Sequence, residues 1–336
     1  MRLLPFATLA LLLAACTTEP PPAARPPRDV AALENAIRRA SDWLSRQQRA
    51  DGSWASGTYG FLKSGQSMTP FVGRAMRLAD RPMEAGRALK WIRARVGADG
   101  SLGNAGETAD YPAYATALAL DLDATIPGAR RYLAACQVTK ADHPERGGFA
   151  FGARAAELAD APHTAEISRT AWAAEALGAF PGAPAALDFV SRCQAADGGF
   201  YFTPGGDGNK AGPGRSYGSA TCDGIRALRW FGAAADDERV KRGLAWLAAH
   251  EAYDRNPGFT GEGRHWETGI FFYYLGALAG VRSDLGGPDG WRERLAAEVL
   301  KRQREDGSFR NDDSTMREDD PLIATALALE AMVKCR

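Results

Sequence analysis

Two kinds of apolar pattern alternate along the chain. In the first, apolar residues recur every three or four positions with charges between them, as where Ala36, Ile37, Ala40, Trp43 and Leu44 share one face and Arg38, Arg39 and Arg46 interrupt it. That period predicts amphipathic helices with one wet face, over 33–48, 83–96, 129–137, 184–194, 237–250 and 291–303. In the second kind, small and apolar residues run with few charges, over 68–78, 114–122, 167–177, 219–230, 268–279 and 322–333. Helices of that composition are expected to be covered on most sides. The alternation predicts an all-α domain, an (α/α)6 toroid of six helix-pair repeats with an inner barrel of six helices inside an outer barrel of six. An open solenoid of the same pairs would not need its second helices so uniformly apolar.

Each exposed helix ends in a turn of one design, a Gln or basic residue running into Asp-Gly or Gly-Gly and then an aromatic or Leu. The copies are Gln47 to Trp54, Ala98 to Leu102, Cys136-Gln137 with Gly147-Gly148-Phe149, Cys193 to Phe200, Asn256 to Phe259, and Arg302 to Phe309. Their last positions, 54, 102, 149, 200, 259 and 309, lie 48, 47, 51, 59 and 50 residues apart, a period suited to one helix pair per repeat. The turns sit in long links, 49–67, 97–113, 138–166, 195–218, 251–267 and 304–321, whereas links back, such as 179–183 and 231–236, are short. Long loops gathered on one face of a rigid scaffold are where binding and catalytic groups concentrate. The same face collects the N-termini of the covered helices, whose amides and dipoles favour anions.

The Gln-x-x-Asp-Gly-Ser-aromatic turns resemble the prenyltransferase and squalene oxidase repeats of the terpenoid cyclase and protein prenyltransferase α/α-toroids. Ser216 to Thr221, Asn256-Pro257-Gly258, Gln303 to Phe309 and Asp320 to Leu327 further resemble single-toroid bacterial squalene cyclase-like proteins of unassigned activity. The resemblance spans residues 30–336. It implies the fold and leaves the reaction open.

Ahead of the repeats, Arg2 is followed by an apolar run through Ala15 that is too short to span a bilayer, which predicts a signal peptide over 1–15. Leu13-Ala14-Ala15-Cys16 resembles the lipobox of bacterial lipoproteins. That resemblance implies acylation of Cys16, a membrane anchor and, with Thr17 rather than Asp next, an outer-membrane location facing the periplasm. Pro20, Pro21, Pro22, Pro26 and Pro27 predict an extended tether over 16–29, with the toroid occupying 30–336. Lys plus Arg and Asp plus Glu number 41 each, so no bulk field attracts nucleic acid, and no nucleic-acid partner is expected. Five cysteines are too few for a disulfide scaffold. Cys136 and Cys193 fall at equivalent repeat positions, but neighbouring helices about 8–10 Å apart exceed disulfide geometry, so burial is expected of both.

The long-loop face is rich in aromatic residues. Trp54, Phe149, Phe200, Phe259 and Phe309 recur with the repeat and are expected to wedge between helix pairs, which leaves Tyr59, Tyr111, Tyr217 and Trp266 as candidate ligand contacts. Arg169 and Arg264 join them as groups able to hold an anion or to offset nearby acids. The Asp-x-Asp-Asp run by which class II terpene cyclases protonate an alkene has its nearest counterpart in Asp121-Leu122-Asp123-Ala124, which lacks the fourth acid and falls on the short-link face, where it is expected to be solvated. Glu318-Asp319-Asp320 clusters on the favoured face, although Asp320 before Pro321 is also what a helix start requires. The zinc site of protein prenyltransferases is approached only by Cys222, Asp223 and His265, in the wrong order, and a buried free Cys222 is the simpler reading. Asp110, Glu166, Glu267 and Asp319 would supply carboxylate pairs for carbohydrate chemistry, yet each also suits a helix cap. The catalytic candidates are therefore Asp319, Asp320, Glu166 and Glu267, with no cofactor expected. Since neither acid run nor zinc triad is intact, the first expectation is an envelope module that binds an apolar small molecule, peptide or glycan through the long-loop face. The alternative is an enzyme on an isoprenoid or other apolar substrate, followed by a carbohydrate-active barrel.

Overall fold

The computed structural model describes residues 29–104, 109–159, 164–206 and 208–336. Signal segment, Cys16 and nearly all of the tether lie outside the described residues. Among the described residues twelve helices build a ring: α1 (Val30–Gln47), α2 (Met68–Leu78), α3 (Pro82–Arg93), α4 (Pro112–Leu122), α5 (Ala129–Ala135), α6 (Ile167–Leu177), α7 (Ala183–Arg192), α8 (Gly218–Trp230), α9 (Glu238–His250), α10 (Phe271–Leu285), α11 (Trp291–Leu300) and α12 (Pro321–Lys334). The even-numbered helices pack side by side in chain order, and α12 returns to pack on α2, so the inner barrel is closed. The odd-numbered helices form the outer layer, α1 against α2 and α12, α5 against α4 and α6, α11 against α10 and α12. Among the described residues there is no extended strand, only isolated bridges within the turns such as Gln194 with Phe200. None of the described helices is long and apolar enough to cross a membrane.

The repeated turn is a joint between successive outer helices. The side-chain amides of Gln48, Gln137, Gln194 and Gln303 donate to Glu84 O, Gly182 O, Arg239 O and Ala36 O on the following outer helix or its cap, at 2.9, 2.9, 2.8 and 2.9 Å. The last of these ties the end of the ring to its beginning, helped by Arg336, which pairs with Glu34 and Asp80. Glycine is required at the tightest point of the joint. Gly147 has φ +93, and a Cβ there would lie 1.9 Å from Ala185 O. Trp54, Phe149, Phe200 and Phe309 are fully buried and Phe259 nearly so, as wedges would have to be. A further repeat element is a threonine inside each of five inner helices. Thr69, Thr116, Thr170, Thr221 and Thr325 accept, through their hydroxyls, the backbone N–H of residues 54, 102, 149, 200 and 309 at 2.9–3.2 Å. These contacts pin the turn aromatic, or Leu102, to the inner barrel.

Three sequence expectations need correction. The fifth inner helix starts at Phe271 rather than 268, because a four-residue helix, Trp266–Gly269, ends at Ile270 and Glu318 then accepts the N–H groups of Phe272 and Tyr273 at 3.0 and 2.8 Å. Four outer helices stop at Arg93, Ala135, Arg192 and Leu300, two or three residues short of the expected 96, 137, 194 and 303, where the chain enters the turn. Asp121 is not solvated but bridges Arg74 and Arg77 at 3.0 and 2.7 Å, and Asp123 pairs with Arg93 at 2.5 Å. Cys136, Cys193 and Cys222 are free and buried, and Cys335 is buried too.

Candidate functional site

A cavity of about 390 Å³ opens on the long-loop face and descends inside the inner barrel. Its walls are largely apolar, with Leu62, Met68, Phe71, Leu118, Trp172, Ile270, Ile323 and Leu327 contributing from around the ring. Aromatic hydroxyls of Tyr111, Tyr114, Tyr217 and Tyr273, the carboxyls of Glu166, Asp223 and Glu318, and the cations of Arg169, Lys210 and Arg317 supply the main polar points.

Below the cavity the barrel is closed by ion pairs. Arg74 of α2 meets Asp121, Glu175 and Glu330 at 3.0, 2.6 and 2.5 Å, Arg226 of α8 meets Glu175 at 2.8 Å, and Lys334 meets Glu330 at 2.6 Å. Burial alone would raise Glu330, but Arg74 and Lys334 more than offset it and hold the carboxylate far below its ordinary range. The indole of Trp172 lies between the two guanidiniums, 4.9 Å from Arg74 and 5.3 Å from Arg226. Every charge of this plug has an opposite partner, which is the condition under which buried charges are tolerated.

Asp223 stands where the plug meets the cavity. It lies one turn after Ser219 on α8, and both residues line the cavity. Its Oδ2 accepts from the Tyr273 hydroxyl at 2.9 Å and its Oδ1 from Arg226 Nη1 at 3.2 Å. Burial raises the Asp223 pKa from 3.8 to about 7, because the pull of Arg226 and of the Tyr273 hydroxyl offsets only part of the desolvation. Glu318 is likewise raised by burial to about 7, against the pull of the Tyr273 and Phe272 amides. Glu166 behaves oppositely. Burial would raise it, but Arg169, Lys210 and the Ser168 hydroxyl outweigh that and keep it below its ordinary value.

The inner-helix N-termini are occupied by the protein itself. Glu166 accepts from the N–H groups of Ser168 and Arg169, Asp320 from Leu322, Asn256 from Ser219, and Asp110 from Gln66 and Ser67 just ahead of α2. The anion-attracting field read from the sequence is answered by these side chains, together with Glu318 on α10.

Of the sequence candidates, Tyr111, Tyr217, Arg169 and Glu166 line the cavity. Tyr59 does not line it but sits beside Phe61, with its hydroxyl donating to Asp319. Asp319 is thereby a partner of Tyr59 and lies off the cavity wall, and Asp320 is a helix cap that also accepts from Ser56. Trp266 is half-buried next to Lys210 rather than on the wall. Arg264 is corrected outright: its side chain is 75% exposed and pairs with Glu267 at 3.8 Å, away from the cavity. Glu267 leaves the catalytic candidates with it. The metal reading fails too, since Cys222 is buried, His265 is exposed against Glu262 O, and among the described residues no three potential ligands converge. The sequence presents Asp223 only as a metal ligand, whereas it is the acid at the cavity floor. Lys210, Tyr114 and Tyr273 carry no motif that singles them out. Charged residues inside otherwise apolar inner helices, such as Asp223 and Arg226 three apart in 219–230, are the signal that points to the site.

Tyr111 and Arg317 add a mark of strain. With Asp80 they are the non-glycine residues of positive φ among the described residues, at +47 and +63, and both line the cavity. Such backbone persists where surrounding contacts hold it, commonly at sites. Here the Arg317 guanidinium lies 4.5 Å above Phe61 and 5.8 Å from both Tyr59 and Tyr111.

A scan against protein-family models finds no match, and a search of the curated proteins finds none either. Solved structures do match over nearly the whole chain. The type II terpene cyclase MstE from Scytonema aligns with a TM-score of 0.59 at 17% identity, covering 91% of this chain and 99% of that one. A protein from Actinoplanes aligns at 0.58 and 17%, covering 90% and 99%. A glycosidase aligns at 0.55 and 14%, covering 91% and 97%. At these identities the likeness is one of architecture. The chain has the α/α-toroid fold that terpene cyclases and glycosidases share.

Proposed function

We propose that the toroid is an enzyme that admits an unsaturated, isoprenoid-type small molecule into its central cavity and starts an isomerisation or cyclisation by proton transfer from Asp223. The observation that carries this reading is a buried carboxyl, protonated up to about pH 7, at the inner end of an otherwise apolar cavity. The proton moves from the Asp223 carboxyl to the substrate, leaving a carboxylate that Arg226 and the Tyr273 hydroxyl already contact. The cation left on the substrate is met by the rings of Trp172, Tyr114 and Phe71 in the cavity wall. Loss of a different proton from that cation back to Asp223 completes the cycle, so nothing is consumed and no cofactor is required. A carboxyl of this strength suits an epoxide or an electron-rich alkene better than an isolated double bond.

The reading of a module that only binds rests on the missing Asp-x-Asp-Asp run and zinc triad. Asp223 supplies an acid outside the Asp-x-Asp-Asp pattern, on a helix that the zinc triad considers only for metal ligation. The apolar walls argue against a glycan, which needs many directed polar contacts. As to place, the lipobox resemblance supports anchoring through acylated Cys16 on the periplasmic face of the outer membrane, where an apolar substrate partitions from the bilayer.

The test is native mass spectrometry and product analysis of the full-length protein incubated with envelope lipid extract. Retention of an apolar unsaturated molecule, converted to an isomer by the wild-type protein and held unchanged by Asp223→Asn, is the expected result. Retention with no conversion by either protein returns the site to pure binding, and retention of a glycan overturns the reading.

A further inference from the structure

The charges of the plug are matched, whereas on the cavity wall Arg317 and Lys210 lie against rings. Lys210, in the loop between α7 and α8, lines the cavity, and among the described residues no carboxylate lies within ion-pair distance of its ammonium. Its contacts are rings: Nζ is 3.0 Å from the centroid of Phe202 and 5.8 Å from that of Trp266. The nearby carboxylates are committed elsewhere. Glu166 caps α6 and lies 3.6 Å from Arg169, Asp223 is held by Arg226 and Tyr273, and Glu318 accepts from backbone amides and Asn311. Arg169, beside Glu166, has its buried Nε without a partner as well. Burial pulls the Lys210 pKa down to about 8, with Glu166 and Asp223 only partly restoring it, as expected of a cation short of a counter-ion.

We propose that Lys210 is the subsite for the carboxylate of an amphiphilic ligand whose apolar chain runs down the cavity towards Asp223. The inference rests on the cavity being an apolar-ligand site, and it adds that the ligand is an acid. A single negative charge is what the wall accommodates. Ionised Glu166 would repel a multiply charged diphosphate, and the helix N-termini that such a group would use are already capped by Glu166, Asn256, Glu318 and Asp320. A carboxylate needs only one charge-assisted hydrogen bond from Nζ, with its chain against Phe71, Leu118 and Trp172.

Affinity of the full-length protein for dodecanoate, dodecanol and dodecyl diphosphate, read by calorimetry, tests this. Dodecanoate is expected to bind about tenfold or more tighter than dodecanol, the worth of one charged hydrogen bond. Lys210→Met is expected to abolish that preference while binding dodecanol as the wild type does, and Lys210→Arg to keep it. Equal affinity for acid and alcohol, a preference that survives in Lys210→Met, or tighter binding of the diphosphate than of the carboxylate would each overturn the proposal. Ligand preference and conversion, read separately on the wild-type protein, distinguish the two readings. If that preference stands and no conversion is ever seen, only the enzymatic reading is lost. If none of the three dodecyl compounds binds, both are.

Discussion

The replacement Asp223→Asn probes the buried acid without reference to any substrate. Asparagine is nearly the same shape, can accept from Arg226 through its amide oxygen while its NH2 donates to the Tyr273 oxygen, and carries no charge to desolvate. In the wild-type fold the carboxyl holds its proton up to about pH 7, whereas in the unfolded chain it ionises near 3.8. Between those values the folded state binds the extra proton, so stability falls as pH rises, and above about 7 the deficit is complete at about 4 kcal/mol. The unfolded chain has already released most of that proton by pH 5, so the portion lost between pH 5 and pH 8 is about 3 kcal/mol. Glu318 is displaced in the same direction and contributes a loss of the same sign, but it does so in both proteins and cancels in the comparison. Denaturant unfolding of wild type and variant at the two pH values is the assay. The variant should gain on the wild type by up to about 3 kcal/mol between pH 5 and pH 8. If the two proteins lose stability in parallel, Asp223 is already ionised at pH 5 as a partner of Arg226, and the argument for a neutral acid fails.

Three further outcomes follow from the fold and its N-terminal segment. Gly147→Ala should destabilise by about 3 kcal/mol or more, since left-handed strain adds to a Cβ that has no room against Ala185 O, and thermal melting would show it. Thr170→Val keeps the volume but leaves the Phe149 N–H unpaired in the core, with an expected cost of about 1–3 kcal/mol in denaturant unfolding. Cys16→Ser should move the protein from the membrane to the soluble fraction on cell fractionation, and an unchanged distribution would remove the lipid anchor from the account.

Much of the fold is legible because it repeats. Trp54, Phe149, Phe200 and Phe309 announce the same wedge at nearly constant spacing, and the glycines before them mark the close approach of the next outer helix. The threonines of the inner helices are equally regular, yet threonine in an apolar helix reads as a neutral choice until its hydroxyl is seen accepting a turn amide. The site is less legible because it does not repeat. Tyr111 and Tyr217 stand out as aromatics off the repeat and do line the cavity, whereas Arg264 and Glu267 share that loop-face placement but pair with each other away from it. A loop residue's direction depends on backbone that no periodicity encodes. Asp223 is visible in sequence only as a neighbour of Cys222; what makes it an acid is desolvation by the surrounding barrel, against the pull of Arg226 and of Tyr273 from another repeat. Glu318 and Asp320 illustrate the converse, as acids clustered in sequence that are consumed in capping two different helices.

Proton transfer from Asp223 is tested most directly by following the label it would deliver. The full-length protein is incubated in D2O with a retained unsaturated isoprenoid, and the recovered lipid is analysed by mass spectrometry and NMR. The account predicts one deuterium on a carbon of the product with wild-type protein and none with Asp223→Asn. Deuterium incorporated equally by both proteins, or a ligand returned unlabelled by the wild type, would contradict it.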